Sequence, residues 1–260
     1  MTARELASDA EGAYRTGRRA AVGALLGVVV SGPIAVAIVN VTHPQPPWRD
    51  AESFARHVHP IQLLPYAGGL LLVAALVVLI ASIHASARAR DQALTGAALV
   101  ATGAFAAFIF FNYVAQTTYL PDLARRYEPV NAPLIAALSM SNPRSLAWAI
   151  EMWGWGLFGV ATWLVAPVFD RSKLERVAAL TARANGVVSA AGALWTAARP
   201  GWVMTPPGLA AFAAWNVLLA ALATLIFVAF GRRRADGFLL ARRGSPGGKR
   251  RSGVARPKLD

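Results

Sequence analysis

The sequence predicts an all-α fold, a polytopic transmembrane bundle of six helices with both termini in the cytosol. Three observations predict it: the 260-residue chain is 56% apolar, its apolar residues fall into six long runs, and its basic residues concentrate in alternate connections. A run of about 20 apolar residues matches the hydrocarbon core of a bilayer. Basic connections stay on the cytosolic side. We therefore expect a multi-pass plasma-membrane protein whose first partner is the lipid bilayer.

Composition divides the chain into three parts. Residues 1–19 are polar and are expected to form a cytosolic segment, and residues 231–260 are expected to form a basic, disordered cytosolic tail. Residues 20–230 between them make up the transmembrane domain. The predicted spans are residues 20–41, 61–86, 93–116, 147–169, 180–198 and 209–230.

Each span has its own justification. Pro33 is expected to kink the first. A short turn with Arg88 and Arg90 makes the second and third antiparallel. The fifth is the weakest, because Arg183 lies near its start, from where its side chain can reach the headgroups. The sixth has no charged residue.

Two longer connections are expected on the outer side. Residues 42–60 form a polar loop in which residues 50–59 can make a short interfacial helix. In the second connection, residues 129–141 are partly apolar but too short to cross the membrane. The sequence leaves open whether this stretch is interfacial or re-entrant.

Basic residues set the predicted orientation. Of the 26 Lys and Arg residues, 20 lie in segments assigned to the cytosol and 6 in the outer loops. This asymmetry follows the positive-inside rule and supports the weak fifth span, without which the basic tail would lie outside. The net charge of +13 therefore indicates orientation, and no nucleic-acid partner is predicted. Anionic lipid headgroups at the tail and other membrane proteins remain open as partners.

Glu151 is the first candidate for function. It is the acidic residue most enclosed by apolar sequence, about one turn inside the fourth span. An intramembrane carboxylate is costly and suggests a function, although a position near a helix end weakens this argument. A carboxylate that only packs helices together is the alternative interpretation.

Further polar residues lie at the same depth. Asn112 and Gln116 share a face of the third span, and Asn112 is placed to donate a hydrogen bond to Glu151. Tyr66 and Asn216 lie in the outer halves of the second and sixth spans. The candidate ligand-binding pocket therefore opens outward and contains Glu151, Asn112, Gln116, Asn216 and Tyr66. Polar residues also gather at helix ends because they cost least there, which is the competing explanation.

No metal site, catalytic residue or cofactor is predicted. The chain has no cysteine, which excludes thiolate ligands and nucleophiles. His57, His59 and Glu52 are weak metal candidates in the first outer loop. No phosphate-binding loop or serine-nucleophile motif occurs.

Several short motifs are similar to those of a known family. They are Asn142-Pro143, Glu151, Gly154 or Gly156, Ala166-Pro167-Val168-Phe169, Tyr113 with Gln116, and Asn185-Gly186. Residues 60–230 thereby resemble an uncharacterised family of bacterial multi-span membrane proteins, classified as a domain of unknown function. The resemblance implies a bundle of six or seven helices and no assigned activity.

Three classes of function follow as hypotheses. A non-enzymatic scaffold or regulatory membrane subunit fits the lack of motifs and the small-residue, Trp-rich helix faces, and it is the first expectation. A small-solute permease or ligand-binding protein using Glu151 is the alternative. An outward-facing membrane enzyme using the loop histidines and carboxylates is the third.

Overall fold

A computed structural model describes the backbone of residues 3–244 and the side chains of residues 10–236. Over these residues the chain is α-helical without a β-strand, and six helical segments are long and apolar enough to cross a membrane. The predicted fold class is confirmed. The six segments are Ala10–Thr42, Pro60–Ala85, Ala89–Arg125, Leu146–Val168, Lys173–Ala198 and Pro206–Asp236.

Short helices and helical turns supplement these segments. The α-helices of residues 3–244 are α1 (Ala3–Val29), α2 (Ala35–Thr42), α3 (Ala51–His57), α4 (Leu64–Ala85), α5 (Gln92–Val114), α6 (Leu120–Arg125), α7 (Ala132–Leu138), α8 (Leu146–Val165), α9 (Lys173–Ala198) and α10 (Pro206–Gly244).

Two spans contain a π-helical turn. Val30–Ile34 joins α1 to α2 and contains Pro33, so the proline widens one turn and the helix continues beyond it. Ala115–Tyr119 joins α5 to α6 in the same way. Turns of this kind occur mostly as single insertions in α-helices and frequently at functional sites.

The ends of the last two spans differ from the prediction. The helix of the fifth span starts at Lys173 instead of residue 180, because Ser172 caps it by accepting a hydrogen bond from the Glu175 amide at 3.2 Å. The sixth helix continues past Phe230 to Gly244. The disorder predicted from residue 231 is therefore not found up to residue 244, and residues 245–260 lie outside the described part of the chain.

The spans pack mainly with their neighbours in sequence, and α1 closes the bundle. It packs against α4 and α10, while α8 packs against α5 and α9. One continuous core connects them, and its largest fully buried side chains include Phe105, Phe158 and Phe230. The start of α1, the end of α10 and the two turns at residues 86–91 and 169–172 lie at one end, here called the terminal face. The longer connections lie at the other end, here called the loop face.

A second apolar cluster covers part of the loop face. It joins α3, α6 and α7 through Ala51, Phe54, Leu120, Ala124 and Ile135. Asp50 caps α3 by accepting a hydrogen bond from the Ser53 amide at 2.7 Å, which gives the short helix expected in that loop. The apolar stretch at residues 129–141 contains α7, and its Ile135 is fully buried in this cluster.

Ion pairs connect the turns of the terminal face. Arg88 donates to both carboxylate oxygens of Asp170 at 3.0 and 2.7 Å, and Arg90 also pairs with Asp170. Partial burial opposes the charge of Asp170, but the hydrogen bonds and positive charges of these arginines outweigh it and hold its pKa below the usual value. The turns that follow the second and fourth spans therefore lie side by side. The cytosolic location of this face stays a prediction.

Candidate functional site

Glu151 lies in the second turn of α8, on the side that faces α5. Ser145 caps α8 by accepting a hydrogen bond from the Trp148 amide at 3.3 Å, so the helix begins at Leu146 and carries Glu151 into the bundle. The residue is only 6% exposed. A buried carboxylate must find hydrogen-bond donors, since leaving it unsatisfied costs several kcal/mol.

Three neutral donors surround the Glu151 carboxylate. The Tyr113 hydroxyl donates to Oε1 at 2.7 Å and the Trp155 indole donates to the same oxygen at 2.8 Å. Asn112 Nδ2 donates to Oε2 at 2.9 Å. All three roles fit an ionised carboxylate, which only accepts hydrogen bonds.

Among the side chains that the structure describes, the Glu151 carboxylate has no cationic partner. The ion pairs of the described side chains involve other carboxylates, those of residues 11, 52, 91, 122, 170 and 175. When Glu151 is ionised, only hydrogen-bond dipoles from these donors would compensate its charge. An intramembrane carboxylate of this kind is expensive for the fold, which makes Glu151 the leading candidate for a functional residue.

Asn112 and Gln116 support the carboxylate from behind. Besides its bond to Glu151, Asn112 Nδ2 lies 3.3 Å from the Ala147 carbonyl oxygen. Gln116 donates to the Asn112 side-chain oxygen at 3.3 Å and to the Leu138 carbonyl at 2.7 Å. The sequence predicted the bond from Asn112 to Glu151, and the structure contains it. Gln116 connects this bond to the end of α7 and does not reach Glu151 itself.

A cavity of about 700 Å³ lies in front of Glu151. Its walls come from the first, second, third, fourth and sixth spans, and it extends to the loop face, where Trp48 and Pro143 border it. Tyr66 and Asn216, the other two predicted site residues, line the cavity. Asn216 uses its amide nitrogen on the Phe212 carbonyl of its own helix at 2.9 Å.

Aromatic rings form much of the cavity wall around Glu151. The Tyr66 and Tyr113 ring centroids are 5.6 Å apart, and those of Trp155 and Trp215 are 4.5 Å apart. All four side chains line the cavity together with Glu151. Of these four residues, only Tyr66 was predicted from the sequence as a site residue.

A second cavity adjoins the first. It has a volume of about 540 Å³, lies between α8, α9 and α10, and is lined almost entirely by apolar side chains. Some of its lining residues point out of the bundle, such as Val187, Trp195 and Leu209, each more than half exposed. The residues shared by the two cavities are Trp148, Glu151, Trp155, Phe212 and Trp215.

The weak metal candidates have other partners. His57 Nδ1 lies 2.7 Å from the Ser53 carbonyl oxygen, and Glu52 pairs with Arg56 at 3.5 Å. The His59 ring stacks on His43 with centroids 3.5 Å apart. Within the described residues, no group of three His, Asp or Glu side chains is placed to hold a metal ion.

Two residues of the site were missed from the sequence. Trp155 is four residues after Glu151, and this spacing placed it on the same helix face without predicting its hydrogen bond. Tyr113 follows Asn112 directly, so the two point about 100° apart around α5, and a search for one polar face finds only one of them.

Comparison with known proteins adds no family or function. No family model matches the chain, and no curated protein or solved structure is significantly similar to it. The resemblance to the uncharacterised bacterial family therefore stays a prediction from short motifs, and the site must be interpreted from its own geometry.

Proposed function

We propose that this membrane protein binds a small solute in the cavity in front of Glu151, as a ligand-binding protein or permease. One observation carries the proposal: a carboxylate that is 6% exposed, without a cationic partner among the described residues, faces a cavity of about 700 Å³. Ligand sites are concave, mostly apolar and contain a few well-placed polar groups. The arrangement around Glu151 has these properties.

The supporting hydrogen bonds favour binding over a purely structural role for Glu151. Asn112, Tyr113 and Trp155 fix the carboxylate from two helices, which prepares its position before a ligand arrives. A carboxylate that only joined α5 to α8 would not need to border a large cavity. The scaffold function expected from the sequence stays a prediction. A finding that the protein binds no solute would favour it.

Replacing Glu151 by glutamine is expected to abolish solute binding with little change of shape. A screen of small solutes against the thermal unfolding of the purified protein should reveal stabilising compounds, since a ligand at 100 times its Kd stabilises by about 2.7 kcal/mol. Glu151→Gln removes the charge and replaces one carboxylate oxygen by an amide group, which donates hydrogen bonds. This amide would face the donors of Asn112, Tyr113 and Trp155, so the stabilisation by the solute should disappear. Glu52→Gln changes an exposed carboxylate at the loop face and serves as the matched control.

The screen separates the alternatives. Equal stabilisation of the wild type and Glu151→Gln by every active solute would place binding elsewhere. The absence of any stabilising solute would contradict the proposal and leave the scaffold hypothesis.

Cysteine labelling tests the cavity directly, because the natural chain has no cysteine. Asn216→Cys, on the cavity wall, is expected to react with a membrane-impermeant thiol reagent at least about tenfold faster than Ala223→Cys, which is 1% exposed in the core. Labelling of intact cells from outside would support the predicted orientation. Labelling only after permeabilisation would reverse it, and no labelling in detergent would contradict a water-accessible cavity.

A further inference from the structure

We propose that the solute is an amphiphilic organic cation, with an ammonium group beside Glu151 and an apolar tail in the second cavity. This inference rests on the proposed function and specifies its ligand. Three features of the described residues carry it: the Glu151 carboxylate without a cationic partner, the aromatic rings around it, and the second, apolar cavity that Glu151 also borders.

The charge of the ligand follows from the hydrogen bonds of Glu151. An ionised carboxylate offers about four acceptor sites, and Tyr113, Trp155 and Asn112 use one each. Their dipoles leave the net negative charge in place. A ligand cation would supply the opposite charge that this part of the protein lacks, whereas an anion would be repelled.

The kind of cation follows from the chemistry of the same neighbours. A bare metal ion needs several oxygen ligands, but the groups around Glu151 present N–H and O–H hydrogens, and the described residues hold no metal-binding group of three His, Asp or Glu side chains. Aromatic ring faces attract ammonium groups within about 6 Å. Tyr66, Tyr113, Trp155 and Trp215 provide such rings in the first cavity.

The tail follows from the second cavity. Glu151, Trp155 and Trp215 border both cavities, so a molecule held at the carboxylate can extend between α8, α9 and α10. The walls there are apolar, and Val187 and Leu209 are 55% and 51% exposed on the outer surface of the bundle. In a spanning helix bundle this surface meets the acyl chains, so an apolar tail in the second cavity would lie close to the bilayer interior.

Three probes separate the two parts of the proposal: octyltrimethylammonium, the neutral 1-octanol with the same tail, and tetramethylammonium with the head alone. Their affinities are measured from the intrinsic tryptophan fluorescence of the protein in lipid nanodiscs. Octyltrimethylammonium is expected to bind at least about tenfold more tightly than either of the others. Because the wild type and every variant sit in the same lipid, the partitioning of a given probe into the bilayer cancels when its affinity is compared between the wild type and a variant.

Variants assign the contributions. Glu151→Gln should remove the tighter binding of octyltrimethylammonium relative to 1-octanol. Tyr66→Leu, which takes away a ring but no hydrogen bond to Glu151, should reduce the ratio of these two affinities by a few-fold. Ala211→Trp fills part of the second cavity and should remove the advantage over tetramethylammonium. Ala214→Trp adds the same ring at an exposed position of α10 outside both cavities and is the matched control.

The outcomes distinguish this inference from the proposed function. Equal binding of 1-octanol and octyltrimethylammonium, unchanged by Glu151→Gln, would overturn the cation while a solute site remains. If a neutral or anionic compound from the solute screen binds and its binding is lost in Glu151→Gln, the proposed cation would also be overturned, and the proposed function would remain. Failure of every probe and every screened solute would overturn both.

Discussion

Replacing Arg233 with alanine is expected to lower the free energy of unfolding by about 3–5 kcal/mol, the usual cost of breaking a buried ion pair. The Arg233 guanidinium donates to both oxygens of Glu175 at 2.8 Å and to the Val168 carbonyl at 2.7 Å. Its side chain is 3% exposed and that of Glu175 is 5% exposed. Without Arg233, Glu175 would remain buried with an uncompensated charge.

Equilibrium unfolding in detergent micelles measures this loss. Arg234→Ala is the matched control, because Arg234 is 42% exposed, pairs with Glu11 at the surface and should cost less than about 1 kcal/mol. The double variant Arg233→Met with Glu175→Leu should recover most of the stability, since removing both charges leaves neither unpaired. A stability of Arg233→Ala equal to that of the wild type would contradict a structural role for the pair.

Glu151 and Glu175 are both buried, but they differ in what accompanies them. Glu175 pairs with a guanidinium near the terminal face, and the pair joins the start of α9 to α10. Glu151 has three neutral donors and a cavity. A charge-paired carboxylate is explained by the fold alone, while one left without a counter-charge next to open space is the stronger candidate for a ligand site.

The sequence predicts the spans well because one strong physical requirement fixes them. An apolar run of about 20 residues matches the thickness of a bilayer and is typical of a transmembrane helix. All six predicted spans coincide with long apolar helices in the structure. Glu151 also stands out in the sequence, since a charge inside such a run is rare. The bond from Asn112 follows from treating neighbouring spans as packed together.

Helix ends are predicted less well. Hydropathy locates the end of an apolar run, but the helix can continue into the polar residues beyond it. Residues 173–179 are polar enough to be assigned to a connection, yet Ser172 and Glu175 form a local N-terminal capping pattern that marks the true start of α9. No local pattern marks the burial of Arg233. Its partner Glu175 is 58 residues away in sequence, so only the packed bundle brings them together.

The cavities are the part that sequence analysis does not reach. Tyr66 and Asn216 were predicted as site residues and both line the first cavity, but the space between them depends on how five spans pack together. The aromatic pair of Trp155 and Trp215 joins helices that are far apart in sequence. A volume enclosed by distant side chains has no signature in any single stretch of the chain.

α1 and α4 approach each other closely beside the first cavity. A Cβ atom added at Gly27 would lie 2.6 Å from the Leu72 Cα atom and 2.9 Å from the Leu72 nitrogen. Backbone atoms cannot move aside as a flexible side chain does. Gly27→Ala is therefore expected to force α1 away from α4 and to lower the free energy of unfolding by about 1–3 kcal/mol, the range for overpacked cores.

Gly103→Ala is the matched control for this change. A Cβ atom at Gly103 meets nothing within 4 Å, so alanine there should leave the stability unchanged or raise it by up to about 1 kcal/mol through its higher helix propensity. Equal changes in the free energy of unfolding for Gly27→Ala and Gly103→Ala would contradict the close contact between Gly27 and Leu72. Ser31, one turn beyond Gly27, and Leu72 both line the first cavity, so moving α1 should also weaken solute binding, whereas Gly103→Ala should not.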